Sequence, residues 1–400
     1  MKKCIIYGAG EHAEWVISLL VKDGYEIIAL CDSDRNKIGC KYGDYCIVDK
    51  KDAIDLCKND NSIHVFIGVI RRRVYDEILD IVKRDFPGET VVIESLTEIM
   101  NRVQKVELEE FYRNMQFKWD VNMGKQFREW IQNIDSEVDF WLSCGLDKEC
   151  DSAEWYERLR RMNRKEVLFS EPDLERIVKD GDIVMDIGCA LVSRFGEKLS
   201  DGGLISLIPV DPLAYYYNHM NERDSRSKKE TYFCRFGMFE LISDLFGSNY
   251  ADAIYIRNAM DHSFDPFRGL ISCLDTLKIG GTMKLQHQKA EAVHGNWTGL
   301  HKWNLDCING SFVIWNRENA VNVSDTLKDY AEITVRDTTE INRDDQWIDV
   351  IMKKTRDIDS SVFFDMEDEK KTLCEYISVL FERLADDEGK FLAKLAKVSI

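Results

Sequence analysis

Two apolar runs in this chain end in glycine turns that open into helix-like segments, and this feature restricts the fold more than any other. The first, CIIYG, leads into Gly8-Ala9-Gly10-Glu11-His12-Ala13. The second, DIVMDIG, leads into Gly188-Cys189-Ala190. A strand, a glycine turn and a helix together open a βαβ unit, and the free N–H groups of the helix face the turn. Strand-like and helix-like runs alternate over residues 3–95 and again over 182–354. Such alternation implies parallel sheets with crossover helices. At 400 residues the chain is too long for one ordinary core.

The expected fold class is therefore α/β, with two Rossmann-like three-layer domains. Residues 1–97 form the first and 166–356 the second. In the second, AEITVRDT and WIDVIMKK lie close together and predict a closing antiparallel hairpin. Residues 98–165 read as a helical linker or cap dense in aromatics, including Phe117, Trp119, Trp130, Trp141, Trp155 and Tyr156. Residues 357–400 read as a helical tail.

In the first domain, glycines at 8 and 10 permit a tight turn, and the helix from Ala13 offers N–H groups to a phosphate. Asp32 ends the second strand, where a carboxylate can accept a ribose hydroxyl. His12 sits inside the loop. The stretch IYGAGEHAEWVISLLVKDGYEIIALCDSDRNKIG resembles the N-terminal nucleotide-sugar-binding domain of bacterial sialic-acid and bacillosamine acetyltransferases. That resemblance implies a nucleotide or sugar nucleotide at Gly8, Gly10, His12, Ala13 and Asp32. The hexapeptide-repeat partner domain of those enzymes is missing, so acetyl transfer is not implied. NAD-dependent oxidoreduction is an alternative use of the loop, weakened because a dinucleotide fold needs two mononucleotide halves.

In the second domain, Asp186, Gly188, Cys189 and Ala190 occupy the first strand end and its turn. Asp186 can order the loop or bind an ammonium group. LISLIPVD ends in Asp211-Pro212, where the carboxylate is placed to accept both hydroxyls of a ribose. RFGMFE supplies Gly237, Met238 and Glu240 to flank an adenine. The fourth strand runs into Arg257-Asn258-Ala259-Met260-Asp261-His262, and Gly280-Gly281 precedes the fifth. This ordered set resembles class I methyltransferases of the methyltransferase-11 type, over about residues 165–354. The resemblance extends to a bacterial subgroup with an upstream aromatic helix, a motif like RNAMDHSFDP, and a later His287, Glu291 and GLHKWN. It implies S-adenosylmethionine (SAM) as cofactor. The family pattern has a second glycine where this chain has Ala190, so an added methyl is expected to crowd the cofactor.

Histidines supply the candidate chemistry. Five of the seven fall between residues 219 and 301. His262 and His287 follow strands at the carboxyl end of the sheet, where α/β enzymes place ligands, and His301 lies in the next loop. A histidine there can act as general base toward an alcohol. No metal is expected: His287, His294 and His301 would align only on a continuous helix, which Gly295 and Gly299 oppose. Trp297, Trp303, Trp315 and Tyr215–Tyr217 are candidates for stacking on a sugar ring, or for core packing.

Charge narrows the partners. The formal net charge of −18 argues against a nucleic-acid substrate. Twelve cysteines show no C-x-x-C pair and read as reduced core thiols of a cytoplasmic protein. No apolar run is long enough to span a membrane. The expectation is SAM-dependent methyl transfer to a small-molecule acceptor, at an oxygen of a carbohydrate or sugar-nucleotide-derived compound, with the first domain holding the nucleotide part. The alternative is a non-catalytic protein that binds SAM and a nucleotide. The oligomeric state is left open.

Overall fold

The structure, a computed structural model, describes residues 2–10, 13–69, 72–86, isolated positions from 99 to 108, 110–146, 163–223, 233–339, 346–364 and 375–383. His12, the expected strand at 90–95, and Trp155 and Tyr156 lie outside the described residues. The chain divides into two compact units, 1–115 and 116–400. Among the described residues no helix is long and apolar enough to cross a membrane.

The first unit holds a five-stranded sheet of β1 (Lys2–Tyr7), β2 (Tyr25–Cys31), β3 (Lys41–Tyr42), β4 (Tyr45–Val48) and β5 (Ile63–Ile67), in the order β3-β4-β2-β1-β5. Cys4, Ile5 and Ile6 are fully buried, so β1 is covered on both faces, as a parallel strand between helical layers must be. The helix Ala13–Lys22 turns Ala13, Val16, Leu19 and Leu20 inward, at helical spacing. Chain order reverses at β1, which leaves a crevice between the loops after β1 and β5. The β3–β4 hairpin was not expected from sequence; its strands are too short to show a period.

The second unit is built on a seven-stranded sheet. Its strands are β6 (Ile183–Ile187), β7 (Ser206–Asp211), β8 (Arg235–Phe236), β9 (Ala251–Arg257), β10 (Leu277–Gln288), β14 (Ala331–Thr339) and β15 (Gln346–Lys354). They run β14-β15-β10-β9-β6-β7-β8. β15 runs antiparallel to both β14 and β10, while the pairings among β10, β9, β6, β7 and β8 are parallel, so the sheet ends in the expected hairpin. This order is that of a class I methyltransferase sheet. Met185, Ile254, Met283, Val350 and Met352 are fully buried and tie the central strands into one core. Chain order reverses between β6 and β9, so the carboxyl ends of these two strands flank a crevice.

Two parts of this unit differ from expectation. A three-stranded antiparallel sheet, β11 (Asn304–Ile308), β12 (Ser311–Trp315) and β13 (Ala320–Asn322), lies between β10 and β14. Trp303 and Trp315 are 0% and 1% exposed, and Tyr216 and Tyr217 are buried, so these rings pack the core and offer no surface to a sugar. Of the expected strand ETYFCRF, Arg235 and Phe236 pair with β7; residues 230–232 lie outside the described residues.

The helix Met123–Leu146 carries an apolar stripe of Phe127, Trp130, Ile134 and Val138. The stripe packs on Leu213, Tyr217, Phe264 and Leu300 at the carboxyl end of the sheet. Tyr376 stacks on Phe127 at 4.1 Å, and Arg383 bonds Asp135 at 2.8 Å, so the 375–383 helix braces this cap.

Candidate active site

The turn after β6 is shaped by close approach. The Gly188 N–H donates to the Val210 carbonyl at 2.8 Å, and φ at Gly188 is +74°. A Cβ placed there would lie 2.3 Å from the Ala259 Cβ, in the turn after β9. The two loops that border the crevice therefore touch at a point where only glycine fits. Ala190 takes φ +55°, so it holds the left-handed backbone usual for glycine despite its methyl. Cys189 points inward, its Sγ 3.4 Å from that of Cys234.

Asp211 organises this turn. Its Oδ2 accepts the Ala190 N–H at 3.1 Å and its Oδ1 accepts the Leu213 N–H at 2.8 Å. Burial pushes its carboxyl up to about 7, against the pull of those two N–H groups, and the Glu137 charge on the cap helix adds to the rise. Asp186, at the end of β6, is pushed by burial up to about 6, opposed by a hydrogen bond with Ser193. Pro212 is half-buried beside Asp211.

The residues after β8 face inward. Gly237 lies against Val210, where a Cβ would meet a methyl at 2.4 Å, and Met238 is buried. Glu240, expected beside an adenine, is 4% exposed and accepts the Ser263 hydroxyl at 2.5 Å and the Asp265 N–H at 2.9 Å. A buried carboxylate has to be hydrogen-bonded, and these bonds make Glu240 a brace for the turn that carries His262. Burial pushes its carboxyl up to about 7. Arg257 bonds Gln286 and lies over the Trp347 ring at 4.6 Å, which engages it with the sheet. Asn258, at φ +43°, donates its N–H to Gln286 O and accepts the Gln288 N–H with its side chain, both at 2.9 Å. It thereby ties the ends of β9 and β10 together.

Beyond that tie sits a fully buried carboxylate, Asp261. Its Oδ1 is 2.9 Å from His287 Nε2, and its Oδ2 is 2.7 Å from His301 Nδ1 and 3.6 Å from His262 Nε2. His262 Nε2 and His301 Nδ1 are 3.2 Å apart. His287 is fully buried, and its Nδ1 lies 2.7 Å from the Gln288 carbonyl. Both its nitrogens face acceptors, so it donates from both as an imidazolium paired with the Asp261 carboxylate. Burial opposes the charge on His287, and the Asp261 charge outweighs it, raising the ring above its ordinary value. The three histidines likewise hold Asp261 well below the carboxylate range despite its burial. His287 therefore positions Asp261 and cannot touch an acceptor. His262 and His301 can, with side chains 21% and 33% exposed.

Asp261 and Glu137 join the site without having been among the residues expected from the sequence. The signal for Asp261 was its place next to His262 just past a strand end. Glu137 carried no signal: its Oε1 reaches within 3.7 Å of His262 Nδ1 only because the cap helix folds over the strand ends. His294 ends the short helix Glu291–His294 and is not among the close-set ligand atoms of Asp261, His262 and His301, and His219 packs edge-on against Tyr215 at 4.5 Å.

The first unit repeats the acidic clamp. The Gly8 N–H donates to Cys31 O at 2.7 Å, and Asp32 accepts the Ala9 and Asp34 N–H groups at 3.0 and 2.9 Å, as Asp211 accepts those of Ala190 and Leu213. Asp32 also pairs with Lys37 at 3.1 Å. Burial opposes ionisation there, and these bonds prevail, keeping Asp32 below its ordinary value. Gly10 has open space where a side chain would be, and the Ala13 N–H donates to the Gly10 carbonyl at 3.0 Å.

Residues 1–81 match the family model described as C2185-like, N-terminal, a description that names neither an acetyltransferase nor a ligand. No curated protein sequence matches the chain. Solved structures similar to it include a SAM-dependent methyltransferase from Methanosarcina mazei, 16% identical, covering 46% of this chain and 99% of that one, with a TM-score of 0.30. A second is the 1,6-didemethyltoxoflavin-N1-methyltransferase of Burkholderia thailandensis, 12% identical, covering 60% and 94%, with a TM-score of 0.33. The [4+2]-cyclase SpnF is 15% identical, covering 46% and 78%, with a TM-score of 0.30. Likeness at this level concerns the fold, and a fold does not settle chemistry.

Proposed function

We propose that the 116–400 unit binds SAM in the crevice between β6 and β9 and transfers its methyl group to an oxygen of a small acceptor, in the class of carbohydrates or sugar-nucleotide-derived compounds. The observation that carries this reading is one line of residues across the strand ends. The Gly188 turn and Asp211 stand at one end of it, and the partly exposed His262–His301 pair on Asp261 stands at the other. The turn fits the cofactor because close approach is built in: a Cβ at Gly188 would collide with Ala259, and Ala190 keeps the left-handed backbone. Asp186 would hold the ammonium end and Asp211 the ribose hydroxyls. Bound SAM supplies an activated methyl on a sulfonium, so what the chain contributes is mainly positioning and exclusion of water. The cap helix covers the strand ends and performs the second task. His262, held beside Asp261 and His301, receives the proton of the acceptor hydroxyl.

In the 1–115 unit, the turn Gly8–Gly10 with Asp32 supports binding of a nucleotide or sugar nucleotide. The test of the whole reading is transfer of tritium from methyl-labelled SAM to a panel of sugar nucleotides and simple glycosides. Label should move to an oxygen of at least one acceptor, and His262→Ala should slow it at least about a hundredfold. Transfer confined to nitrogen or carbon acceptors would contradict the oxygen assignment.

A further inference from the structure

We propose that Asp261, His262 and His301 form a site for a divalent transition-metal ion, with an open coordination position directed to the acceptor. The observation is the mutual spacing of three ligand atoms. Asp261 Oδ2, His262 Nε2 and His301 Nδ1 are 2.7, 3.2 and 3.6 Å apart. Atoms so spaced share a point about 1.9 Å from each, so an ion about 2.1 Å from all three, the usual Zn–N and Zn–O length, sits just off their plane. The three therefore occupy one face of a coordination sphere. Two imidazoles and a carboxylate on one face are the donor set of zinc, iron, cobalt or nickel. Magnesium and calcium take oxygen ligands instead.

The surroundings are those of a metal ligand set. Asp261 is held from its other oxygen by buried His287 at 2.9 Å, which aims Oδ2 at the two partly exposed rings. His262 presents Nε2 to the site, and its Nδ1 lies on the other side, 3.7 Å from Glu137 Oε1. Glu291 Oε1 lies 3.9 Å from His301 Nδ1 and adds negative charge at the rim. Asp261 is buried while His262 and His301 are partly exposed, so the ion's remaining positions lie on the accessible side of the cluster. Three protein ligands and an open side describe a catalytic site; structural zinc sites are closed by a fourth side chain. The ion would bind the acceptor oxygen and lower the pKa of its hydroxyl, and the released proton would pass to solvent in place of the histidine, whose ligand nitrogen the ion occupies. That role rests on the methyl-transfer reading, whereas binding of the ion does not.

The test uses the full chain, stripped with chelator and titrated without SAM. Co²⁺ is followed by its visible d–d absorption, and Zn²⁺ by competition with a chromophoric chelator. One equivalent should bind with micromolar affinity or better. His262→Ala and His301→Ala should each weaken it at least about a hundredfold, while His294→Ala leaves it unchanged. His262→Gln, which keeps a polar side chain, should weaken it as well if the alanine variants prove unfolded by circular dichroism. No saturable binding by the wild type, or binding retained in folded His262 and His301 variants, would overturn the proposal. A parallel titration with SAM reports on the cofactor pocket alone, so the two readings fail separately.

Discussion

Gly188→Ala tests the contact that shapes the crevice. The new methyl would stand 2.3 Å from the Ala259 Cβ and 3.4 Å from Phe239 Cζ, on a backbone held at φ +74°. Carbon atoms prefer a separation of about 3.5–4.0 Å, so the two loops would have to part by more than 1 Å. Such overpacking costs about 1–3 kcal/mol, and the left-handed backbone costs an alanine about 1–2 kcal/mol more. The expected loss is thus about 2–5 kcal/mol. Ala259→Gly removes the collision but not the backbone strain. In the double variant, stability should recover by the packing part alone, about 1–3 kcal/mol. The assay is urea denaturation followed by tryptophan fluorescence. Of the nine tryptophans only Trp15 lies in the 1–115 unit, so the signal reports on the 116–400 unit. A Gly188→Ala loss below about 0.5 kcal/mol, or a coupling with Ala259→Gly no larger than about 0.5 kcal/mol, would show that the two loops do not press on each other at this point.

Other predictions follow from the same geometry. Ala190→Gly relieves a left-handed alanine but adds unfolded-state entropy, so stability should change by about 0 to +1 kcal/mol with no loss of SAM affinity; a loss above about 1 kcal/mol in denaturation would show that the methyl packs usefully. Asp211 is raised to about 7, and ribose hydroxyls favour its ionised form, so SAM affinity should climb severalfold as pH rises from about 6.5 to about 8, a range in which Asp186, raised to about 6, is already mostly ionised. Calorimetry of Asp211→Asn should lose that slope; a slope kept by the variant would assign the effect to another group. His287→Ala leaves Asp261 a buried charge short of a partner and should cost about 3–5 kcal/mol in denaturation. His262→Ala, at a partly exposed position, should stay within about 1 kcal/mol of wild type while losing methyl transfer. Equal stability losses in the two would remove the distinction between a positioning histidine and a contacting one.

Much of the fold could be read from the chain because its central strands are buried on both faces. CIIY, DIVMDI and ADAIYI are near-continuous apolar runs, and each forms a parallel strand. The closing hairpin could be read because its two strands are long and close in sequence. The β11–β13 sheet was hidden because its strands span five residues or fewer and its tryptophans resemble a binding surface. The site divides in the same way. Gly188, Asp211 and Asn258 belong to local strand-end patterns. The cluster on Asp261 does not: His287 and His301 stand 26 and 40 residues from the acid they meet, and only the fold brings them together. Glu240 misled because an acid after β8 can face outward to an adenine or inward to a turn, and its spacing is the same in both cases.

The central claim is that the β6–β9 crevice is a SAM pocket. Its most direct test is calorimetric titration of the full chain with SAM and S-adenosylhomocysteine, repeated with Asp211→Ala. One binding event in the micromolar range is expected for the wild type, and it should collapse in the variant. Heat indistinguishable from dilution for the wild type, or equal binding by a folded Asp211→Ala protein, would contradict it.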